Sequence, residues 1–362
     1  MSTLRVEALE QPDGTAFVFN NKNLLINGGM NVWQRSTSAT GITTTAYHTV
    51  DRWRTSISTL GTWTQSRSTD VPSAQGFGYS LKMDCTTADA SPAAGSNIIH
   101  TQRIEGQNLQ HLLKGTSSAK AITLSFWIKS NKTGTYICQL YDNDNNRSIS
   151  KSYTIDSAST WEKKTITFEG DTTGTLDNDN AASLYAQWWF GAGSNFTSGT
   201  LQTSWGTLVA ANRAVGQVNL ADSTSNELYI TGCQLEVGST ASGFEFEPYV
   251  ATLQKCLRYY RKITTDLSGR RVRQGGVATA STNVSFDMLM STPMRALPSM
   301  TKANIELRNL SDTATAGAIN TIFADDEFLL IGFSFSTTGA ISDGYSIRAT
   351  SSSAKLDFDS EL

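Results

Sequence analysis

Between residues 23 and 246, apolar side chains recur at every second position in short runs, and a helical period is almost absent. The runs at 122–129 (ITLSFWIK), 136–141 (YICQLY), 165–169 (TITFE) and 184–190 (LYAQWWF) are separated by stretches rich in Gly, Asn and Asp. A period of two puts successive side chains on opposite faces of a strand, and those turn residues reverse the chain. Many short strands of this kind argue against alternating βαβ units. They point to sheet packed on sheet, a sandwich or jelly roll. No repeat of solenoid length is present, which counts against a parallel β-helix. A brief helix is expected only at 107–113, from Leu109, Leu112 and Leu113.

The period changes near Pro248. Residues 229–235 alternate as a last strand, with Tyr229, Thr231, Cys233 and Leu235 on one side and Ile230, Gly232 and Gln234 on the other. Gly238 and Gly243 punctuate the turn that follows, and Pro248 stops a ladder from continuing. Beyond it Leu253, Cys256, Leu257 and Tyr260 fall at i, i+3, i+4 and i+7, one apolar stripe on a helix of two or three turns. So short a helix does not persist alone in water, so it is expected to pack as an inter-domain hinge. Strand-like runs resume at 284–290, 303–307, 328–335 and 345–349. The expected class is all-β: a jelly-roll β-sandwich, a short hinge helix and a smaller C-terminal β-sandwich. The expected domains are an arm at 1–22, the jelly roll at 23–248, the hinge helix and linker at 249–274, and the C-terminal β-domain at 275–362.

Composition narrows the function classes. A net charge of −3 over 362 residues argues against general binding of nucleic acid or anionic membrane. Charged residues make up only 17%, so hydroxyls and amides must face water, as on an extracellular β surface. Residues 255–273 hold seven Lys or Arg against Asp266 alone, which reads as a solvated helix face and linker or as a polyanion patch. No apolar run is long enough to span a membrane. Residues 1–14 lack a basic start followed by an apolar core, so no secretory signal is expected. Cys85, Cys138, Cys233 and Cys256 are far apart with no CxxC pair, and are expected to be buried free thiols.

Chemistry is sparse. His48, His100 and His111 stand in no metal-ligand spacing, and neither a nucleophile elbow nor a phosphate loop occurs. Glu105, Asp142, Asp144, Asp177 and Asp179 offer carboxyls that a glycosidase would need in facing pairs, but nothing in their spacing selects a pair. The runs 142–146 (DNDNN) and 177–180 (DNDN) place oxygens at alternate positions, yet lack the glycine and closing glutamate of an EF-hand. They read as tight turns, with a structural divalent ion as the alternative. No cofactor is expected.

The aromatic pattern is more informative. In the runs 123–129, 136–141 and 184–190, Leu124, Phe126, Ile128, Tyr136, Cys138, Leu140, Leu184, Ala186, Trp188 and Phe190 form the inward set. The outward set mixes rings with amides, as a sugar-binding face requires: apolar C–H patches lie on rings while hydroxyls meet amides. Trp127, Gln139, Tyr141, Gln187 and Trp189 are therefore the candidate glycan platform. The alternative is packing under a loop or a neighbouring subunit. Phe196 and Trp205, in the loop 191–206, are candidates either for recognition or for plugging that loop down.

Three stretches carry a family resemblance. Residues 234–260 (QLEVGSTASGFEFEPYVATLQKCLRYY) closely resemble a segment common in bacteriophage tail-fibre and related receptor-binding proteins. Residues 24–38 (LLINGGMNVWQRSTS), with Asp51-Arg52-Trp53, fit the same family. Residues 161–174 (WEKKTITFEGDTTG) resemble a strand pair of carbohydrate-binding-module jelly rolls. The resemblance covers roughly residues 24–262, and residues 291–299 more loosely. It implies a virion structural protein made in the host cytoplasm, a homotrimer, and attachment to other virion proteins through the N-terminal arm. It also implies host-surface recognition; the aromatic platform makes glycan the expected target, and with no catalytic motif and no spanning apolar run neither cleavage nor membrane insertion is expected. The alternatives are a purely structural capsid fibre or tail adaptor, and a capsule depolymerase.

Overall fold

A computed structural model of the chain describes residues 22–265, 271–280, 283–309, 314–315, 318–325, 329–336 and 344–362. The expected docking arm at 1–22 therefore lies, apart from Lys22, outside the described residues. The chain divides into two units between Tyr249 and Val250.

Among its described residues the first unit holds twelve strands: β1 (Ser38–Ile42), β2 (Arg54–Ser58), β3 (Thr62–Ser68), β4 (Ser80–Thr87), β5 (Asn97–Glu105), β6 (Ile122–Ser130), β7 (Gly134–Asp142), β8 (Arg147–Ile155), β9 (Glu162–Phe168), β10 (Ala182–Ala192), β11 (Gly206–Thr207) and β12 (Glu227–Val237). They form two six-stranded sheets, ordered β1-β3-β4-β12-β6-β9 and β11-β8-β7-β10-β5-β2. All the pairings are antiparallel. Sequence neighbours β4 and β5, β6 and β7, and β8 and β9 belong to different sheets, so the chain repeatedly crosses the sandwich as in a jelly roll. The helix expected at 107–113 is instead two 3-10 turns, Gly106–Asn108 and Gln110–Leu112. A single α-helical turn, α1 (Ser194–Thr197), follows β10.

Every side chain of the inward set is buried in one core between the sheets. Each such aliphatic or aromatic side chain contributes roughly 1.5–3 kcal/mol by leaving water. Trp53 stacks on His100 at 5.0 Å and 5°, and tilts against Trp188 at 5.4 Å, which Phe126 meets edge-on at 5.7 Å. The four cysteines are buried thiols, none of them in a disulfide.

Strand β12 corrects the simple alternation. Leu228 and Ile230 enter the core, but so do Cys233 and Leu235, because the register on β6 shifts between Thr231 and Gln234. Gly232 sits in this bulge at φ +63°, and a Cβ there would lie 2.6 Å from the Phe77 ring. A bulge inserts one residue and flips the faces after it, which period-two counting does not register. The resembling stretch 24–38 is bonded to this strand, and Trp53 is bonded back to that stretch. Leu24 N donates to Leu235 O at 2.8 Å, Cys233 N to Gly28 O at 3.0 Å, and Trp53 Nε1 to Asn27 O at 3.1 Å.

The second unit opens with α2 (Tyr249–Leu257), on which Cys256 is buried and Leu253 and Leu257 half-buried. Tyr260 does not continue that helical stripe: it begins β13 (Tyr260–Thr265) and pairs with Asp359. The remaining strands are β14 (Arg271–Ala280), β15 (Asn283–Leu289), β16 (Ser299–Ala303), β17 (Ile305–Asn309), β18 (Ala314–Thr315), β19 (Ala318–Ala324), β20 (Leu330–Ser336), β21 (Gly344–Ala349) and β22 (Ala354–Asp359). A three-stranded sheet, β13-β22-β16, and a seven-stranded one, β18-β17-β21-β14-β15-β20-β19, share a core that includes Phe286, Phe333, Phe335, Leu356 and Phe358. Of the segment expected as hinge helix and linker, residues 249–257 are helix, and residues 260–265 and 271–274 are strand.

Candidate functional site

Strand β10 runs through the middle of its sheet, and its outward residues set three rows across the outer face. Tyr185 stands between Tyr141 of β7 and Arg103 of β5. Gln187 stands between Gln139 and Thr101, and Thr101 pairs in turn with Arg54 of β2. Trp189 stands between Ile137 and Ile99. Neighbouring strands are about 4.8 Å apart and successive rows about 6.8 Å, so the set spans a surface the size of a few sugar rings.

The third row is roofed. The segment after β10 folds back, and Phe196, Leu201 and Ala214 join Ile99, Ile137 and Trp189 in a satellite core. Arg213 fastens this roof. Its Nε donates to Gln139 Oε1 at 3.0 Å and its Nη2 to Gln187 Oε1 at 3.1 Å, while its guanidinium lies 4.9 Å from the Trp189 ring. Ser150 Oγ donates to the Arg213 carbonyl at 2.9 Å. Burial pulls the Arg213 pKa down to about 10, because water no longer stabilises its charge.

The first row and the Arg54 end of the second remain half-open. Tyr141 and Tyr185 meet edge-on at 5.3 Å. Their hydroxyls donate to Asn146 Oδ1 at 3.3 Å and Asn143 Oδ1 at 3.2 Å, both in the β7–β8 turn. The Arg103 guanidinium lies 4.7 Å from the Tyr185 ring centre. Arg54 donates to Ser56 Oγ at 2.7 Å, and its pKa is lowered by burial and then by the charge of Arg103. Arg103 Nε and Thr101 Oγ1 are buried with no hydrogen-bond partner. Among the described residues no ion pair involves Arg54, Arg103 or Arg213.

The five residues of the expected platform do not form one surface. Gln139, Tyr141, Gln187 and Trp189 share the β10 face, but Trp127 projects from β6 on the opposite sheet, between Thr231 and Lys163. Trp189 and Gln139 are fully buried beneath the roof and Gln187 nearly so, leaving Tyr141 half-exposed. Phe196 meets Trp189 at 5.3 Å, and Trp205 packs against the main core with its Nε1 donating to Glu169 O at 2.8 Å. Both act as plugs. Sequence reasoning left Arg54, Arg103, Tyr185 and Arg213 out of the platform. The first three stand at outward period-two positions, but only strand pairing brings them together.

The first acidic run makes a tight turn and the second an irregular bend. Residues 143–146 close the β7–β8 hairpin, and Asp142 pairs with Lys114 Nζ at 2.5 Å. Lys114 also reaches Asp171 at 3.0 Å, and Arg147 holds Asp171 at 2.8 Å. Asp144 accepts from Asp177 N at 2.9 Å, and Asp179 from Ala181 N at 2.9 Å. Buried His100 is driven to a pKa of about 3 by desolvation and stays neutral. Among the described residues no helix is long and apolar enough to cross a membrane.

No protein-family model matches the chain, and no curated protein matches it. Among solved structures, the enzymatically active domain of tailspike protein 4 from bacteriophage CBA120 is 14% identical with a TM-score of 0.31, over 60% of this chain and 21% of that one. A family 61 carbohydrate-binding module in complex with β-1,4-galactotriose is 10% identical with a TM-score of 0.31, over 60% of this chain and 99% of that one. A family 11 module from Clostridium thermocellum, in complex with a mixed-linked tetrasaccharide, is 11% identical with a TM-score of 0.29, over 53% of this chain and 91% of that one. The chain thus spans about a fifth of the tailspike domain's length and nearly all of the two modules.

Proposed function

We propose that this chain is a phage virion structural protein, in a tail fibre or related appendage, whose sandwich holds host-surface glycan on the outer face of the β10 sheet. The observation that carries the glycan reading is the half-open row Tyr141–Tyr185–Arg103 beside Gln187 and Arg54. Phenol rings there adjoin amides and guanidinia within one strand spacing, the mixture that orients a polyhydroxylated ring. The virion setting rests on the resembling stretches 24–38, 161–174 and 234–260. On that reading the chain is a homotrimer, docks to other virion proteins through its N-terminal arm, and multiplies weak sugar contacts over its copies.

The chain is proposed to bind rather than cleave. Glu105 is buried and accepts from Gln107 at 2.5 Å, Asp142 is held by Lys114, and Asp144 accepts a backbone N–H. Carboxyls so engaged are poorly placed to exchange protons with a substrate. The test is a glycan array on the folded chain, followed by adsorption assays on particles carrying Tyr185→Ala. Glycan binding lost in that variant is the expected result. No glycan bound and unchanged adsorption would leave a purely structural fibre or adaptor, and release of reducing sugar from host polysaccharide would make the chain a depolymerase.

A further inference from the structure

The open part of the β10 face is unusual in its charge. Arg54 faces Thr101 across the β2–β5 register, two residues from Arg103 on β5, near enough that the charge of Arg103 disfavours the proton of Arg54, and among the described residues neither arginine is in an ion pair. Like charges held together in a half-buried setting cost stability unless something else gains from them. Their remaining donors are not consumed internally: Arg54 makes one side-chain hydrogen bond, to Ser56, and Arg103 Nε makes none. Thr101 Oγ1, between them in the register, is also unpartnered and buried. Arg103 covers one face of the Tyr185 ring at 4.7 Å, and Tyr141 meets that ring edge-on at 5.3 Å. Stacking is therefore not the strongest contact this face can make. A guanidinium fork matched to a carboxylate or phosphate is stronger.

Building on the glycan reading above, we infer that this face selects negatively charged saccharides, with the acidic group of one sugar unit held between Arg54 and Arg103. The ring of that unit then lies along the edges of Tyr185 and Tyr141, and its hydroxyls meet Thr101 and Gln187. The charge selects; the tyrosines and amides orient. The same geometry explains why the phenol hydroxyls are tied to Asn143 and Asn146: fixed rings hold the guanidinium of Arg103 in place.

The test uses the full chain and four probes: polygalacturonate, its methyl-esterified neutral form, a phosphomannan, and polyglutamate as a sugar-free polyanion. Binding is measured from about 0.05 M to about 0.5 M salt. At least one acidic glycan should bind at least about tenfold tighter than the neutral form, and the advantage should fade with salt. Arg54→Gln and Arg103→Gln should each remove that preference while leaving the thermal transition unchanged or raised, since each relieves a repulsion. Measurements on the unmodified chain decide the matter even where a variant fails to fold. Neutral glycan bound as tightly as acidic overturns the charge selection but leaves the glycan reading intact. No glycan bound in any form overturns both. Polyglutamate bound as tightly as the acidic glycans shows a general polyanion surface and overturns the selection of a saccharide.

Discussion

The guanidinium of Arg213 lies 4.9 Å from the Trp189 ring centre while reaching Gln139 and Gln187, so one side chain closes the roof over a third of the β10 face. Arg213→Ala strands two amide oxygens beneath that roof, each costing about 1–3 kcal/mol when left buried and unpaired. The expected loss is about 2–4 kcal/mol. All eight tryptophans lie between Trp33 and Trp205, so fluorescence during urea unfolding reports on the sandwich alone. A loss below about 1 kcal/mol would show that Phe196 and Leu201 hold the roof without Arg213.

His100 makes the sandwich acid-sensitive. Its folded pKa is about 3, against 6.5 for the free side chain, because burial disfavours the charged ring. Between those values the unfolded chain takes up a proton that the folded chain refuses. Stability therefore falls as pH drops through 6.5, by up to about 1.4 kcal/mol per unit, and levels off near 3. His100→Phe keeps a ring against Trp53 and removes the titration. The wild-type-minus-variant difference in urea stability should shrink linearly over pH 7 to 4 if His100 carries it, and stay flat if it does not.

The inward faces of β6, β7 and β10 were legible because a period of two needs only local sequence. Sheet membership was not. The segment Ser130–Gly134 looks like a hairpin turn between β6 and β7, yet β6 pairs with β9 and β12 while β7 pairs with β8 and β10. That crossing removed Trp127 from the platform. An outward position is also no guarantee of exposure: Gln139 and Trp189 point away from the core and are still covered, because residues 194–217 return over them. The arginines of the open face were invisible for the same reason as the crossing. Arg54 and Arg103 are 49 residues apart in sequence and meet only through the β2–β5 register at Thr101.

Lys114 is a buried cation beside the β7–β8 turn, with Asp142 at 2.5 Å and Asp171 at 3.0 Å, all nearly inaccessible. Its Nζ also donates to the Thr173 and Gly174 carbonyls at 3.0 Å and 2.8 Å, tying the 171–176 loop to the β7–β8 turn. Lys114→Met leaves Asp142 charged and without its cation, which should cost about 3–5 kcal/mol. The double variant Lys114→Met/Asp142→Leu should recover a large part of that loss, since a well-packed apolar pair costs less than a single stranded charge. No recovery would mean that the loop anchoring, rather than the unpaired charge, carries the cost. The same fluorescence-monitored urea titration reads both variants.

The two sheets make opposite predictions for ring removal. Trp127 lies beside Gly232, whose added Cβ would come within 3.1 Å of the indole, and it faces away from the arginine-bearing surface. Trp127→Ala should therefore cost stability through lost packing while leaving affinity for any glycan within about twofold. Tyr185→Ala removes the ring that supports Arg103 and one of the two phenols of the open row. It should weaken binding at least about tenfold, because a ring at the centre of a contact patch carries more than its rim. Calorimetric titration of both folded variants with one bound glycan decides between the surfaces. Loss of binding in Trp127→Ala with Tyr185→Ala unaffected would move the site to the outer face of the β12 sheet, where Trp161, Tyr229 and Lys129 also cluster.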